Sequence, residues 1–319
     1  MSNDITPQLK IYFHTDESYY PSSFDFFIDG STLYDKSGSK DLFKSQPELM
    51  QKVCPNGRKD YILKANKDDL KYGMNDTLNQ VPIYKFTRTY NGKKYIIYSL
   101  FYPYNGEYNI LGIQETGQHW GDAEHITFEL NDDNSVSRIY FGAHGDSDGK
   151  WVLPSQVDKE NDEYVAYVAY HGHGFYPKQG TYFRNYGTSN DYTNKGKSIS
   201  TKTNPIIEIR NKDVLNDEEK NKVGLAYFCG QIGEDGIDSY YRKGWFNNLD
   251  KEENPPPLVN NTLFVVGRAI VFLLLFYIIY KLFMLGNKIP NYSMVYYIVF
   301  IIIFIYGIIK LKEIIKSFS

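Results

Sequence analysis

Through residues 1 to about 250, short apolar runs alternate with clusters of Gly, Asn, Asp and Pro. Runs of this kind, four to eight residues long and rich in Ile, Val, Tyr and Phe, predict β-strands. "LKIYFH", "YKFTRTY", "KKYIIYSLFY", "HITFEL", "VSRIYFGAH", "EYVAYVAYH", "NPIIEIR" and "VGLAYF" are the strand candidates. "TYNGKKY" sets an Asn-Gly pair between two of them, the signature of a tight hairpin. Helical spacing is confined to "KSQPELMQKV" and "DVLNDEEKNK". Many short strands with turn signals and few helices predict a mainly β chain, a β-sandwich soluble domain over residues 1–250 with small insertions.

The pattern changes at "DKEENPPPLVNN", where charges and three prolines make residues 251–261 a linker. Beyond it, Tyr292 to Ile309 is uncharged for 18 residues, close to the ~20 that a helix needs to cross a hydrocarbon core. The preceding run, Leu258 to Leu285, carries only Arg268 and Lys281, with 12 uncharged residues between them. Both cations can reach an interface along their aliphatic stems, so a second span is favoured over an interfacial helix. The expectation is a C-terminal transmembrane helical hairpin with spans at 262–285 and 292–311. The N-terminus lacks a basic region followed by an apolar run, which predicts a multi-pass membrane protein with its large domain in the cytosol. Lys310, Lys312 and Lys316 agree with a cytosolic tail, whereas Lys281 and Lys288 oppose it. An endomembrane or a virion membrane would suit such a chain.

Composition adds three limits. The 30 Tyr and 20 Phe fit a chain of pleated, half-buried surfaces. A net charge of −3 with no basic stripe argues against nucleic acid as a partner. Cys54 and Cys229 are far apart and lack CxxC spacing, so neither a disulfide framework nor a cysteine zinc site is expected, and a reducing compartment is the simpler reading.

The candidate chemistry gathers at strand ends. In "GDAEHITFEL" the alternation puts Asp122, Glu124, Ile126, Phe128 and Leu130 on one face and His125 on the other. Two carboxylates thus stand at the mouth of an apolar strand face. In "EYVAYVAYHGHGFYP" the same alternation aligns His171 and His173 if the strand continues past Gly172, and "SRIYFGAHGD" ends in His144. Buried carboxylates call for a cation or a proton. His119, Asp122 and Glu124 are the candidate metal ligands, an oxygen-rich set that favours Mg²⁺ or Ca²⁺ over Zn²⁺, with added histidines shifting it toward transition metals. His144, His171 and His173 would line the same cleft, joined by Arg184 and Asp191 of the polar stretch "TYFRNYGTSNDYTNKGK". Each residue alone has a plainer explanation as a turn, a strand cap or an ion-pair partner, but five of the six histidines fall between His119 and His173. That concentration favours a site. No Ser or Cys stands in a motif such as GxSxG, which leaves a metal-dependent hydrolase as the alternative to a binding module.

"YFHTDESYYPSSFDFFIDGSTLY", "FYPYNG", "GQHWGDAEHITFEL", "RIYFGAHGDSDGKWV", "YVAYVAYHGHGFYPKQGTYFRNYG" and "NDYTNKGK" occur in the order found in the vacuolar protein sorting-associated protein sixty-two family, which residues 9 to 197 resemble. The resemblance implies a link to vacuolar trafficking and no particular reaction. "HWGDAEH" is also similar to the metal motif of the necrosis- and ethylene-inducing-like proteins, a β-sandwich family that holds a divalent cation in a cleft for lipid headgroups. That likeness implies the same three ligands, although Ala123 stands where the family has Trp and the nearest preceding acid is Glu115. The hydrophobic hairpin belongs to neither pattern and reads as an added anchor. Together these readings predict a membrane-anchored, non-enzymatic binding module with a divalent cation in a rim cleft, recognising a lipid headgroup, a sugar or a protein partner, in membrane trafficking.

Overall fold

The computed structural model describes residues 6–41, 45–110, 114–143, 149–182 and 190–233, together with 258, 259, 277, 280, 281 and 284. The chain divides into two units, Met1–Gln179 with Arg184–Pro256, and Gly180–Phe183 with Pro257–Ser319. In the second unit the described strands Gly180–Tyr182 and Leu258–Val259 pair antiparallel.

The first unit is built on a sheet whose strands run in the order Lys150–Val152, Val136–Phe141, His119–Leu130, Lys93–Asn105, Ile83–Tyr90 and Ile206–Glu208. The expected hairpin is there: Ile83–Tyr90 pairs with Lys93–Asn105 through Asn91 and Gly92, at φ of 49° and 79°. Two left-handed residues are what a type I′ turn requires, and its twist matches that of the strands it joins. Lys93–Asn105 then pairs with His119–Leu130 along its length, from Lys94 opposite Leu130 to Asn105 opposite His119.

Both faces of this sheet are covered. Ile96, Tyr98, Leu100, Tyr102, Ile126, Phe128 and Leu130 pack on Leu9, Ile11, Phe13, Ala166 and Val168 of a second sheet. Its strands run Lys159–Glu160, Glu163–Val168, Leu9–Tyr12 and Ser198–Ser200, with Phe175–Tyr176 also paired to Glu163–Val168. On the opposite face Tyr84, Phe86, Tyr95, Ile97, Phe101 and Ala123 pack on Phe24, Phe27, Leu33, Leu63, Leu225 and Phe228. These come from short helices and from a third sheet of Gln231–Ile232, Tyr61–Ala65, Ser31–Asp35 and Lys40–Asp41. The unit is therefore mainly β with few short helices, as the patterning predicts. Its extra layer explains why the long central strands are apolar on both faces: each buried large side chain contributes roughly 1.5–3 kcal/mol.

The structure corrects several expectations. "VGLAYF" is not a strand. Asn216 accepts from the Glu219 N–H while its own N–H donates to the Glu219 carboxylate, each at 2.9 Å, which starts the helix Asp217–Val223. The apolar run continues it as a 3₁₀ turn over Gly224–Tyr227, and a run so short carries no periodicity that separates strand from helix. Cys54 and Cys229 form a disulfide with Cα atoms 5.8 Å apart. Sequence spacing could not show this, because the two segments meet only after the third layer packs. The pairing removes the basis for reading a reducing compartment.

The multi-pass membrane localisation is also corrected. Among the described residues no helix is long and apolar enough to cross a membrane. Apolar composition alone does not make a span; a continuous helix of about 20 residues does. Tyr277, Tyr280, Lys281 and Met284 are helical, and the rest of the segments 262–285 and 292–311 lies outside the described residues.

Candidate functional site

Topology brings four connections to one end of the first unit. Leu9–Tyr12 and Glu163–Val168 are parallel, with Tyr12 opposite Tyr167, so the segments that follow them leave from the same edge. Asn105 at the end of one central strand faces His119 at the start of the next. The Ser22 N–H donates to the Phe101 carbonyl at 2.8 Å, tying the first connection to the central sheet. The rim is thus made of residues 13–22, 102–108, 117–122 and 169–174.

After Glu163–Val168 the chain turns through Tyr170–Gly174 and does not continue as a strand. The Ala169 N–H donates to the Gly174 carbonyl at 2.8 Å, and His173 N–H to the Ala169 carbonyl at 3.1 Å. His171 and His173 both lie in the left-handed region, at φ of 59° and 57°. Non-glycine residues there cost of order 1 kcal/mol each, so packing must hold them. The expectation that an unbroken strand aligns the two rings is therefore corrected: Gly172 sits inside a turn, and each ring has its own surroundings.

His173 is fully buried. Its Nε2 lies 3.0 Å from the Tyr19 carbonyl, an acceptor. Its Nδ1 lies 3.3 Å from Asp122 Oδ2, and its ring stacks on Tyr102 at 3.7 Å. The other Asp122 oxygen accepts from the Ala123 N–H at 2.8 Å. These contacts join the turn to the central sheet.

His171 is held differently. Its N–H donates to Glu17 Oε2 at 2.9 Å, while Glu17 Oε1 accepts from the Ser18 and Tyr19 N–H groups at 2.9 and 2.8 Å. Glu17 is buried, and three backbone donors account for its charge. The His171 ring stacks on Tyr170 at 3.8 Å and tilts against Tyr19 at 4.8 Å. Its Nδ1 lies 3.3 Å from the Glu107 carbonyl and 3.7 Å from the Glu107 carboxylate. Two acceptors assign the proton to Nδ1 and leave Nε2 with a bare lone pair. That Nε2 is buried and, among the described residues, has no hydrogen-bond partner.

Tyrosines frame this ring. The Tyr19 hydroxyl donates to Glu107 Oε2 at 3.3 Å, and its ring meets Tyr104 at 5.0 Å and Tyr72 at 6.1 Å. Burial, then the Glu107 carboxylate, raises the hydroxyl pKa values of both Tyr19 and Tyr104. Tyr170 is pushed up to about 12 by burial and then by Glu17, Asp16 and Glu107. On the far side of Tyr170, at 4.9 Å, lies His14, whose pKa burial lowers against the opposing pull of Asp16 and Glu17.

The sequence-predicted residues fare unequally. Asp122, His171 and His173 meet at the rim, joined through Tyr19. His119 turns its Nδ1 to the Gly121 carbonyl at 2.8 Å. Glu124 is buried on the strand. Among the described residues no group of three or more His, Cys, Asp or Glu side chains is placed to hold a metal ion. Gly121, at φ of 69°, separates His119 from the alternating stretch that starts at Asp122. Asp191 is buried and accepts from the Tyr176 hydroxyl at 2.5 Å, beside the turn, where the Tyr170 N–H donates to the Tyr192 carbonyl at 2.9 Å. His144 and Arg184 lie outside the described residues. Sequence reasoning missed His14, Glu17, Tyr19, Tyr102, Tyr104 and Glu107. The available signal was "HTDESYY", a run of acids and tyrosines directly after a buried strand.

A family model described as vacuolar protein sorting-associated protein 62 matches residues 5–208. The chain belongs to that family. Every rim residue named above falls inside the part shared with the vacuolar protein sorting-associated family, from His14 to His173. No curated protein matches the chain. Among solved structures, one described as "Toxin fold as basis for microbial attack and plant defense" is 15% identical over 75% of this chain and 84% of its own, with a TM-score of 0.35. "NLPPya in complex with mannosamine" is 14% identical over 76% and 83%, with a TM-score of 0.34. "Necrosis and Ethylene inducing Protein 2", from the causal agent of cocoa's Witches Broom disease, is 17% identical over 64% and 71%, with a TM-score of 0.29.

Proposed function

We propose that this domain is a ligand-binding module acting in vacuolar protein sorting, and that its ligand seats on the rim where Tyr19, Tyr104, Glu107 and His171 meet. Family membership supports the setting. The observation that supports the site is His171 Nε2, buried and without a hydrogen-bond partner among the described residues. Leaving a buried polar atom unsatisfied costs about 1–3 kcal/mol, which a ligand donor at that nitrogen recovers. The neighbouring tyrosine rings offer apolar faces with polar edges, and the Glu107 side chain remains 30% exposed. Such a surface suits a small polar ligand rich in hydrogen-bond donors, a sugar being the nearest class among those the sequence leaves open.

Binding is favoured over turnover because His173, the second ring of the turn, is fully buried with both nitrogens engaged. A divalent cation at His119, Asp122 and Glu124 would share its ligands with contacts already made by His119 Nδ1 and both Asp122 oxygens. The test is titration of the full chain with a panel of monosaccharides, followed by NMR. Saturable binding is expected, weakened about tenfold or more in His171→Asn and Tyr104→Ala. Asn is the replacement for His171 because it tolerates left-handed backbone. Absence of binding by every sugar, or unchanged affinity in both variants, would overturn the proposal.

A further inference from the structure

We infer that the rim recognises a primary ammonium group on a small molecule; this rests on the ligand-binding reading of the same site and goes beyond it by naming the group. What the rim offers a ligand is acceptors. His171 Nε2 presents a lone pair, because Nδ1 faces the Glu107 carbonyl at 3.3 Å and its carboxylate at 3.7 Å. Glu107 presents a partly exposed carboxylate that accepts from the Tyr19 hydroxyl at 3.3 Å. Behind the imidazole stands a second negative charge, Glu17, bonded to the His171 N–H at 2.9 Å.

One cation beside the rim, Lys71, is already committed. Lys71 lies 5.2 Å from the centre of the Tyr72 ring and pairs with Asp68 at 2.6 Å. An anionic ligand such as a phosphate would meet a lone pair and a carboxylate, both repulsive. A hydroxyl would satisfy Nε2 and leave the Glu107 charge uncompensated. An ammonium group does both: it carries three N–H donors and no acceptor, so one hydrogen can reach Nε2 while the charge faces Glu107. The Tyr19 and Tyr104 rings, 5.0 Å apart at 63°, add faces that attract a cation and cover its methylene groups.

The experiment compares putrescine with its diol counterpart, in which each ammonium is replaced by a hydroxyl, and with inorganic phosphate, on the full chain. Binding is read from the His171 Nε2 resonance in long-range nitrogen spectra, which reports the lone pair directly. Putrescine is expected to bind about tenfold more tightly than the diol, Glu107→Gln to erase that preference, and His171→Asn to weaken both. Equal affinity for putrescine and the diol, or tighter binding of phosphate, overturns the ammonium assignment and leaves the rim as a binding site. Failure of putrescine where the sugars bind also overturns it alone. Failure of every probe, sugars included, overturns the rim reading with it.

Discussion

His14 is held from both sides of its ring. The Asp16 N–H points at Nδ1 from 3.2 Å, and the Asn194 amide nitrogen lies 3.0 Å from Nε2. The amide orientation is set by Asn194 Oδ1, which accepts the Thr15 N–H at 2.7 Å. A ring so placed resists a second proton, in line with the lowering of its pKa by burial. With the folded value below the unfolded one, His14 contributes stability that is present above the ordinary imidazole range and is lost as pH falls through the folded pKa. Melting measured from pH 7.5 downward should therefore show a loss of up to about 1.4 kcal/mol per pH unit attributable to this residue. His14→Gln should flatten that slope, and an unchanged slope would show that the proton goes elsewhere. At this scale the sequence was a partial guide. Buried Asp122 and the His171 and His173 pair could be singled out because such groups are rare near apolar strands. His14 and Glu17 could not, since their partners, Asn194 and the His171 N–H, lie 180 and 154 residues away.

"PYNG" reads in the sequence as an ordinary turn, and the structure gives the turn a function. The Gly106 N–H donates to the His171 carbonyl at 2.9 Å, and Asn105 Nδ2 donates to the Gly117 carbonyl at 2.9 Å. The end of one strand is thereby bonded both to its hairpin partner and to the histidine turn of the other sheet. A Cβ on Gly106 would stand 2.4 Å from the Tyr19 ring and 2.8 Å from His171 Cβ. Gly106→Ala should then cost roughly 1–3 kcal/mol, as overpacking does, and displace Tyr19 from His171. Denaturant unfolding and the ligand titration read the two effects separately; a variant native in both would mean that the rim is looser than its contacts indicate. The Asn91-Gly92 hairpin and the two helices at Gln46–Gln51 and Asp217–Val223 were legible from turn and capping chemistry. "VGLAYF" was not, because an apolar run that short packs equally well as strand or helix.

Across the whole first unit, the Cys54–Cys229 disulfide closes a sequence separation of 175 residues. Constraining so long a loop in the unfolded chain is worth roughly 2–5 kcal/mol. Cys54→Ser with Cys229→Ser, or a strong reductant, should lower the unfolding free energy by about that amount, checked by denaturant titration in oxidised and reduced buffer. No change would show that the bond is dispensable. The sequence by itself determined the mainly β character, the hairpin, the sparse helices and the family, because these depend on local periodicity, turn chemistry and ordered motifs. Only the tertiary structure decided the third layer, the disulfide and the composition of the rim. Each of these depends on which distant segments come into register, as when parallel pairing of Leu9–Tyr12 with Glu163–Val168 sets Tyr19 against His171.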